Sequence, residues 1–214
     1  MSMRLQSPCL VLGTRNAGKV REIETILAGV PWQLRSLREF ANIPVPPETA
    51  PTFVENAIAK AQFYARATDL CALADDSGLE VEALGGAPGV LSARYAGEGA
   101  SDADRRALLL TELARVNDEK RRARFVCAVV ITTPHGEVLN VSEGVCLGTI
   151  ILEQRGTNGF GYDPLFVPDR FNETFAELSD SIKNHISHRA RALLSTREFL
   201  LSQNAQLDQE TGDS

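Results

Sequence analysis

The feature that most limits the fold is the opening succession of an apolar run and an amphipathic one. Cys9-Leu10-Val11-Leu12-Gly13 is continuous and apolar, and Thr14-Arg15-Asn16 stops it. Val20, Ile23, Ile26 and Leu27 then recur at helical spacing as far as Gly29. The chain thus opens as strand, turn and helix. A second strand is expected over 33–37. The proline-rich stretch from Ile43 to Pro51 must run as an extended loop, because proline fixes φ and lacks an amide proton. Thr52-Phe53-Val54-Glu55 has the spacing of a capping box, and Phe53, Ala57, Ala61 and Tyr64 share one face, so a helix follows and ends near Asp69.

Cys71 to Ala74 reads as a buried strand that runs into Asp75-Asp76-Ser77-Gly78 and puts the two aspartates at a strand end. Leu79, Val81 and Leu84 lead from there to the turn Gly85-Gly86-Ala87-Pro88-Gly89. Ser101-Asp102-Ala103-Asp104 caps a helix expected to reach about Val116, and residues 124–133 pair with 138–147 through Pro134-His135-Gly136-Glu137. Gly156 to Tyr162 is a glycine-rich loop and Ser187 to Leu201 a helix. Residues 203–214 read as a polar, disordered tail.

At 214 residues the chain is one large domain or two closely packed lobes, and 43% hydrophobic with 23% charged residues excludes disordered and fibrous classes. The net charge of −6 argues against a broad basic face for nucleic acid, so a polyanion must meet a local basic pocket. The longest apolar run, Phe125 to Ile131, is far short of a membrane span, and the N-terminus lacks a signal-peptide core. Cys9, Cys71, Cys127 and Cys146 are widely spaced within apolar runs, as reduced thiols would be. A cytoplasmic protein is expected.

Four segments carry candidate chemistry. Gly13 to Lys19 lies where a strand hands over to a helix, a place whose free N–H groups attract phosphate. It falls short of a P-loop, since Val20 stands where Ser or Thr would hold Mg²⁺. The alternative is that Asn16 only caps the helix and Lys19 points to solvent. Asp75 and Asp76 crowd two carboxylates that a divalent cation would relieve, although Asp75 also suits a plain turn. Neighbours on a strand face opposite ways, so one of the two shares a pocket, and Glu48 can supply a second ligand.

Gly159-Phe160-Gly161-Tyr162-Asp163-Pro164 suits the clasping of a flat heterocycle, with Asp163 accepting from a ring N–H; the alternative is an aromatic turn with its rings in the core. Lys183 to Arg189 gathers two cations and two histidines before and within the first turn of the last helix, where an anion or a carbonyl-rich ligand would offset their clash with the dipole. A solvated face is the other reading, for His185 above all. The basic run Lys120 to Arg124 is read as a solvated turn.

These pieces, in this order, resemble the inosine triphosphate pyrophosphatase family. The resemblance rests on Thr14-x-Asn16-x-x-Lys19, on Glu48 with Phe53-x-Glu55-Asn56-Ala57, and on Ala74 to Leu79 continuing through Gly85 to Gly89 and Ser92-Ala93-Arg94-Tyr95. It continues in Gly159 to Pro164 and Ser187-His188-Arg189. It implies an α/β fold with an elongated central mixed sheet flanked by helices, two lobes of a single domain over 1–202 enclosing a cleft, and a homodimer. It also implies Mg²⁺-dependent hydrolysis of non-standard purine nucleoside triphosphates (ITP, dITP, XTP) to monophosphate and pyrophosphate, cleansing the nucleotide pool. By that resemblance Thr14, Arg15, Asn16, Ala17, Gly18 and Lys19 hold phosphates, with Lys60 reaching them too. Glu48 and Asp76 bind Mg²⁺, and Asp76 accepts the proton of water. Ser77 touches substrate, while Phe160, Gly161, Tyr162, Asp163, Lys183, His188 and Arg189 form the base pocket. Lys183 and Arg189 would donate to the 6-keto edge of the purine. Arg15 departs from the pattern, standing where many relatives have Gly. Neither nucleic acid nor membrane is an expected partner.

Overall fold

The opening strand, β1 (Cys9–Leu12), lies parallel to both its neighbours, β2 (Gln33–Ser36) and β3 (Cys71–Val81). Beyond β3 the sheet turns antiparallel through β4 (Arg122–Thr132), β5 (Val138–Ile150) and the short β6 (Phe166–Pro168), in the order β2-β1-β3-β4-β5-β6. The fold is α/β with one mixed sheet. The computed structural model describes residues 8–212, so the N-terminal residues read above as lacking a secretion signal, and the last two of the tail, lie outside the described residues.

The parallel half needs helical crossovers. Helix α1 (Ala17–Ile26) is capped by the Asn16 side chain, which accepts from the N–H groups of Gly18 and Lys19. Helix α2 (Phe53–Thr68) is capped by Thr52 and ends on Asp69 in the left-handed region, as the local signals predict. Phe53, Ala57 and Ala61 of α2 pack on Ala74, Ala128 and Val130 of the sheet. On the opposite face, Ile23 of α1 and Leu27 at its C-cap join Leu10, Leu12, Val129 and Leu193. Helix α3 (Asp102–Leu113) buries Leu109 and Leu113 against Leu79, Phe125 and Phe166 in the antiparallel half. Each fully buried side chain of this kind contributes roughly 1.5–3 kcal/mol.

Four expectations are corrected. Asp75 and Asp76 do not end a strand: β3 runs through them with unbroken pairing, Asp75 opposite Val129 and Asp76 opposite Ala128, because cations from other elements neutralise both carboxylates. The sequence leaves Lys183 just before the last helix with no element of its own. Lys183 lies on a separate helix, α4 (Asp180–Ile186), capped by Ser179 and broken at Ser187 before α5 (His188–Gly212). The expected tail from 203 continues α5 as far as Gly212, since no glycine or proline intervenes before that point. In the basic run, Arg122 and Arg124 belong to β4 and pair with Asp169 and Glu80, and Arg121 is buried against the carbonyls of Val116 and Ile150.

The start of α5 sits unusually close to the sheet. A Cβ on Gly144 of β5 would stand 2.1 Å from the His188 carbonyl oxygen and 2.7 Å from the Ala192 nitrogen, both rigid backbone atoms. Gly144→Ala must therefore lift α5. It should lower stability by about 1–3 kcal/mol, the usual range for overpacking, seen as a lower urea midpoint at unchanged m. A midpoint equal to that of the parent would contradict the close seating of this helix.

Candidate active site

Alternation along β3 sends its two aspartates to opposite faces. Asp75 faces α1 and α5. Its Oδ2 lies 2.9 Å from Lys19 Nζ and 3.2 Å from Arg189 Nε. Burial would raise its pKa, but Lys19 and Arg189 outweigh burial and hold the carboxyl far below the usual range. Asp75 is thus an ionised hub and neither a turn residue nor a cap, and Lys19 points to it instead of to solvent.

Asp76 faces α2. Lys60 Nζ stands between two carboxylates, 3.1 Å from Asp76 Oδ1 and 2.6 Å from Glu48 Oε1. Burial, the largest influence on Asp76, holds its carboxyl above the usual value despite Lys60. Its Oδ2 is buried with no hydrogen-bond partner among the described residues. That oxygen and Glu48 suit a hard divalent cation, which typically takes one or two carboxylates and completes its shell with phosphate and water. No group of three or more His, Cys, Asp or Glu side chains forms a self-sufficient metal site among the described residues.

The proline-rich loop that carries Glu48 is held by two arginines. Arg94 donates from Nη1 to Glu48 Oε2 at 3.2 Å and from Nη2 to the Glu48 carbonyl at 2.5 Å. Arg15 donates to the Ile43 carbonyl, so its side chain ties the two loops together.

The other end of the cleft is cationic. Lys183 Nζ donates to Asp163 Oδ2 at 2.7 Å and lies 3.1 Å from Glu22 Oε1. Arg189 Nη1 reaches Glu22 Oε2 at 2.5 Å and Nη2 reaches Ser77 Oγ at 2.7 Å. The Phe160 ring centre is 5.0 Å from Lys183 Nζ and 5.5 Å from Arg189 Cζ, within cation–π range. A Cβ on Gly18 would touch that ring at 2.7 Å, so the bare glycine lets Phe160 lie on the start of α1. His188 stacks on Phe125 at 4.7 Å, and burial followed by its cationic neighbours keeps it neutral.

Lys19, Asp76, Phe160, Lys183, His188 and Arg189 all line one cavity of about 140 Å³, the scale that takes up an aromatic ring. Asn16, Glu48, Ser77, Gly161, Tyr162 and Asp163 line it as well. Thr14, Arg15, Ala17, Gly18 and Lys60 are not on its wall, although Thr14 and Lys60 bond to residues that are. Tyr162 is buried and donates to the Ser92 carbonyl at 3.0 Å, and Asp163 Oδ2 is engaged by the Phe160 N–H at 2.9 Å as well as by Lys183. The aromatic loop therefore divides, with Tyr162 bonded back into the core and Phe160 on the cleft.

Sequence reasoning missed Glu22, which bridges both cations of the aromatic end of the cleft. Burial would raise its pKa, but Arg189 and Lys183 prevail and hold it below the usual value. Its signal was position, since three residues after Lys19 on a helix is the same face. Arg94, within Ser92-Ala93-Arg94-Tyr95, has no role that the sequence discloses.

The chain as a whole is similar to known proteins. Residues 10–199 match the Ham1 family, and the chain belongs to it. A dITP/XTP pyrophosphatase from Geobacter sulfurreducens is 50% identical over 191 residues, 89% of this chain and 96% of that protein. One from Desulfotalea psychrophila is 51% identical over 186 residues, 87% and 82% of the two chains. Among solved structures, a HAM1 protein from Coxiella burnetii superposes with a TM-score of 0.84 at 42% identity, covering 91% of this chain and 99% of that one.

Asp75 is the hub to test first. With its folded pKa depressed, the stability it contributes is complete above the unfolded pKa of about 3.9 and is lost as pH falls through the folded value. Asp75→Asn leaves Lys19 and Arg189 facing each other and should cost about 3–5 kcal/mol at pH 7. Urea unfolding of both chains should show that gap narrowing below about pH 4. A gap that fails to appear at pH 7 would mean that Asp75 carries no charge in the folded chain.

Proposed function

We propose that this chain is a nucleoside triphosphate pyrophosphatase that hydrolyses ITP, dITP and XTP to the monophosphate and pyrophosphate, and so removes non-standard purines from the nucleotide pool. One observation carries the reading: a paired-carboxylate end and a cation-and-aromatic end share a single cleft. Family membership and the names of its relatives support it.

Glu48 and Asp76 are the residues that would hold Mg²⁺, which would supply charge neutralisation along the triphosphate. Asp76, with a free buried oxygen and a carboxyl more basic than usual, accepts the proton of the attacking water. Lys19 on the cavity wall would offset charge on the departing pyrophosphate, and Lys60, behind Glu48 and Asp76, would add to it. Thr14 to Gly18 present the loop and first turn of α1 to the phosphates, and Ser77 lies between the two ends.

At the base end the remaining donors matter. Lys183 has three ammonium protons and two carboxylate partners, and Arg189 has five N–H groups and three partners, so protons remain for a ligand. A 6-keto purine accepts them; adenine offers an amino group there and leaves them unpaired. Phe160 stacks on the ring, and neutral His188 closes the pocket wall beside Gly161, Tyr162 and Asp163.

A cytoplasmic location accords with four free thiols and with the lack of any described helix long and apolar enough to cross a membrane. A homodimer is part of the same reading, and exposed Val141 and Leu147 on β5 give a second copy an apolar face to cover.

Incubation with ITP, XTP, dITP and the four standard nucleotides should yield monophosphate and pyrophosphate from the first three. Release of γ-phosphate alone would indicate a kinase-like protein, and no turnover would indicate a nucleotide-binding regulator. Asp76→Asn should abolish hydrolysis while leaving the urea midpoint near that of the parent; activity within a few-fold of the parent would move the base elsewhere. Lys183→Ala should cost about 1.5–3 kcal/mol in kcat/KM for ITP and collapse its preference over ATP. Phe160→Ala should lower all purines together by roughly 1–3 kcal/mol, because stacking does not read ring substituents. An unchanged ITP-to-ATP ratio in Lys183→Ala would remove that lysine from base recognition.

A further inference from the structure

The peptide groups around Gly161 join Phe160, on the cleft, to Asp163, which holds Lys183. One helix grips this residue on both sides. The Gly161 N–H donates to Asp102 Oδ2 at 2.8 Å, and its carbonyl accepts from Arg106 Nη1 at 2.7 Å. Both side chains are themselves fixed. Asp102 pairs with Arg105, which donates to the carbonyls of Ala93 and Ala100, and Arg106 Nε donates to Gln154 Oε1 at 2.7 Å. Leu109 and Leu113 anchor the same helix in the core.

Gly161 has φ +62°, a conformation that glycine takes up without strain but does not hold by itself. Something must select it, and the two bonds from α3 do so. A charged acceptor on the amide and a charged donor on the carbonyl are the stronger class of hydrogen bond. Turning this residue would swing Phe160 away from Lys183 and Arg189 and would pull on Asp163.

Asp102 has a simpler possible role, as an acid in the first turn of α3 that favours the helix dipole. That role is already filled. Ser101 and Asp104 form a reciprocal capping box, with bonds of 2.9 and 3.2 Å, while the Asp102 carboxylate is turned outward to the loop.

We propose that Asp102 and Arg106 are positioning residues for purine recognition: they set the loop that carries Phe160 and leave the phosphate end of the site untouched. This rests on the nucleotide reading above, so the unmodified chain is assayed first, and failure to hydrolyse ITP would overturn that reading instead of this one.

The test compares ITP with inorganic tripolyphosphate, a competitor that has no base. Asp102→Ala should raise the KM for ITP about tenfold, with kcat within about twofold and the tripolyphosphate inhibition constant unchanged. Asp102→Asn keeps a carbonyl acceptor for the Gly161 N–H and should recover a KM within about threefold of the parent. Asp104→Ala weakens the cap without touching the loop; it should lower Tm and leave KM alone. The proposal fails if Asp102→Ala leaves KM unchanged or shifts the tripolyphosphate constant in step. It also fails if Asp104→Ala raises KM as much, since the effect would then belong to helix stability.

Discussion

A carboxylate in the middle of a buried strand is tolerable only with opposite charge against it, and Asp75 makes that demand at the centre of the sheet. Lys19 answers from α1 and Arg189 from α5. Arg189 then requires Glu22, Glu22 also holds Lys183, and Lys183 reaches Asp163 in the aromatic loop. Along this path the charges alternate strictly in sign. One electrostatic chain thus fixes α1, α4, α5, β3 and the aromatic loop relative to one another, and it places two cations at the aromatic end of the cleft before any ligand arrives. Preorganisation of that kind is where donors gain strength, because no reorientation is needed when the ligand binds.

Much of the fold was written locally. Asn16, Thr52 and Ser101 cap helices where their side chains predict, and Gly136, at a positive φ, turns the β4–β5 hairpin inside the expected linker. What escaped was written at long range. Nothing near Asp75 in the chain discloses Arg189, 114 residues away, so two adjacent acids looked like the end of a strand. Helix α4 escaped for another reason: it is only seven residues long, and of its two isoleucines Ile182 is exposed and only Ile186 packs on the core. The stretch after 203 has no apolar period at all, so only residue propensity argues for helix there.

The site divides the same way. Asn16, Lys19, Asp76, the loop from Phe160 to Asp163, Lys183, His188 and Arg189, all legible as candidate chemistry in the sequence, converge on one cleft. The residues that hold them in place were invisible. Glu22 and Asp102 are acids on amphipathic helices, a position usually occupied by solvated charge, and Arg94 ends a six-residue 3₁₀ helix. Each acts through a partner distant in sequence, and only the folded chain supplies that partner.

The register of the sheet explains why the candidate site residues lie where they do. Strand β1 stops at Leu12, opposite Leu73, whereas β3 continues to Val81. Past Leu73 one edge of β3 therefore has no strand beside it, and the turn from Gly13 to Asn16 enters that space. Gly13 makes the last rung, its N–H donating to the Leu73 carbonyl at 2.6 Å, and a Cβ there would strike that oxygen at 2.8 Å. After Ala74 come Asp75, Asp76 and Ser77 of β3, just beyond the carboxyl end of a parallel strand, which is where open α/β sheets bind their ligands. On the other edge β4 stays paired throughout, so β3 is rigid while its open edge faces the cleft. The early end of β1 and the long run of β3 together place a carboxylate beside a helix N-terminus, while the antiparallel half brings the aromatic loop to the same cleft.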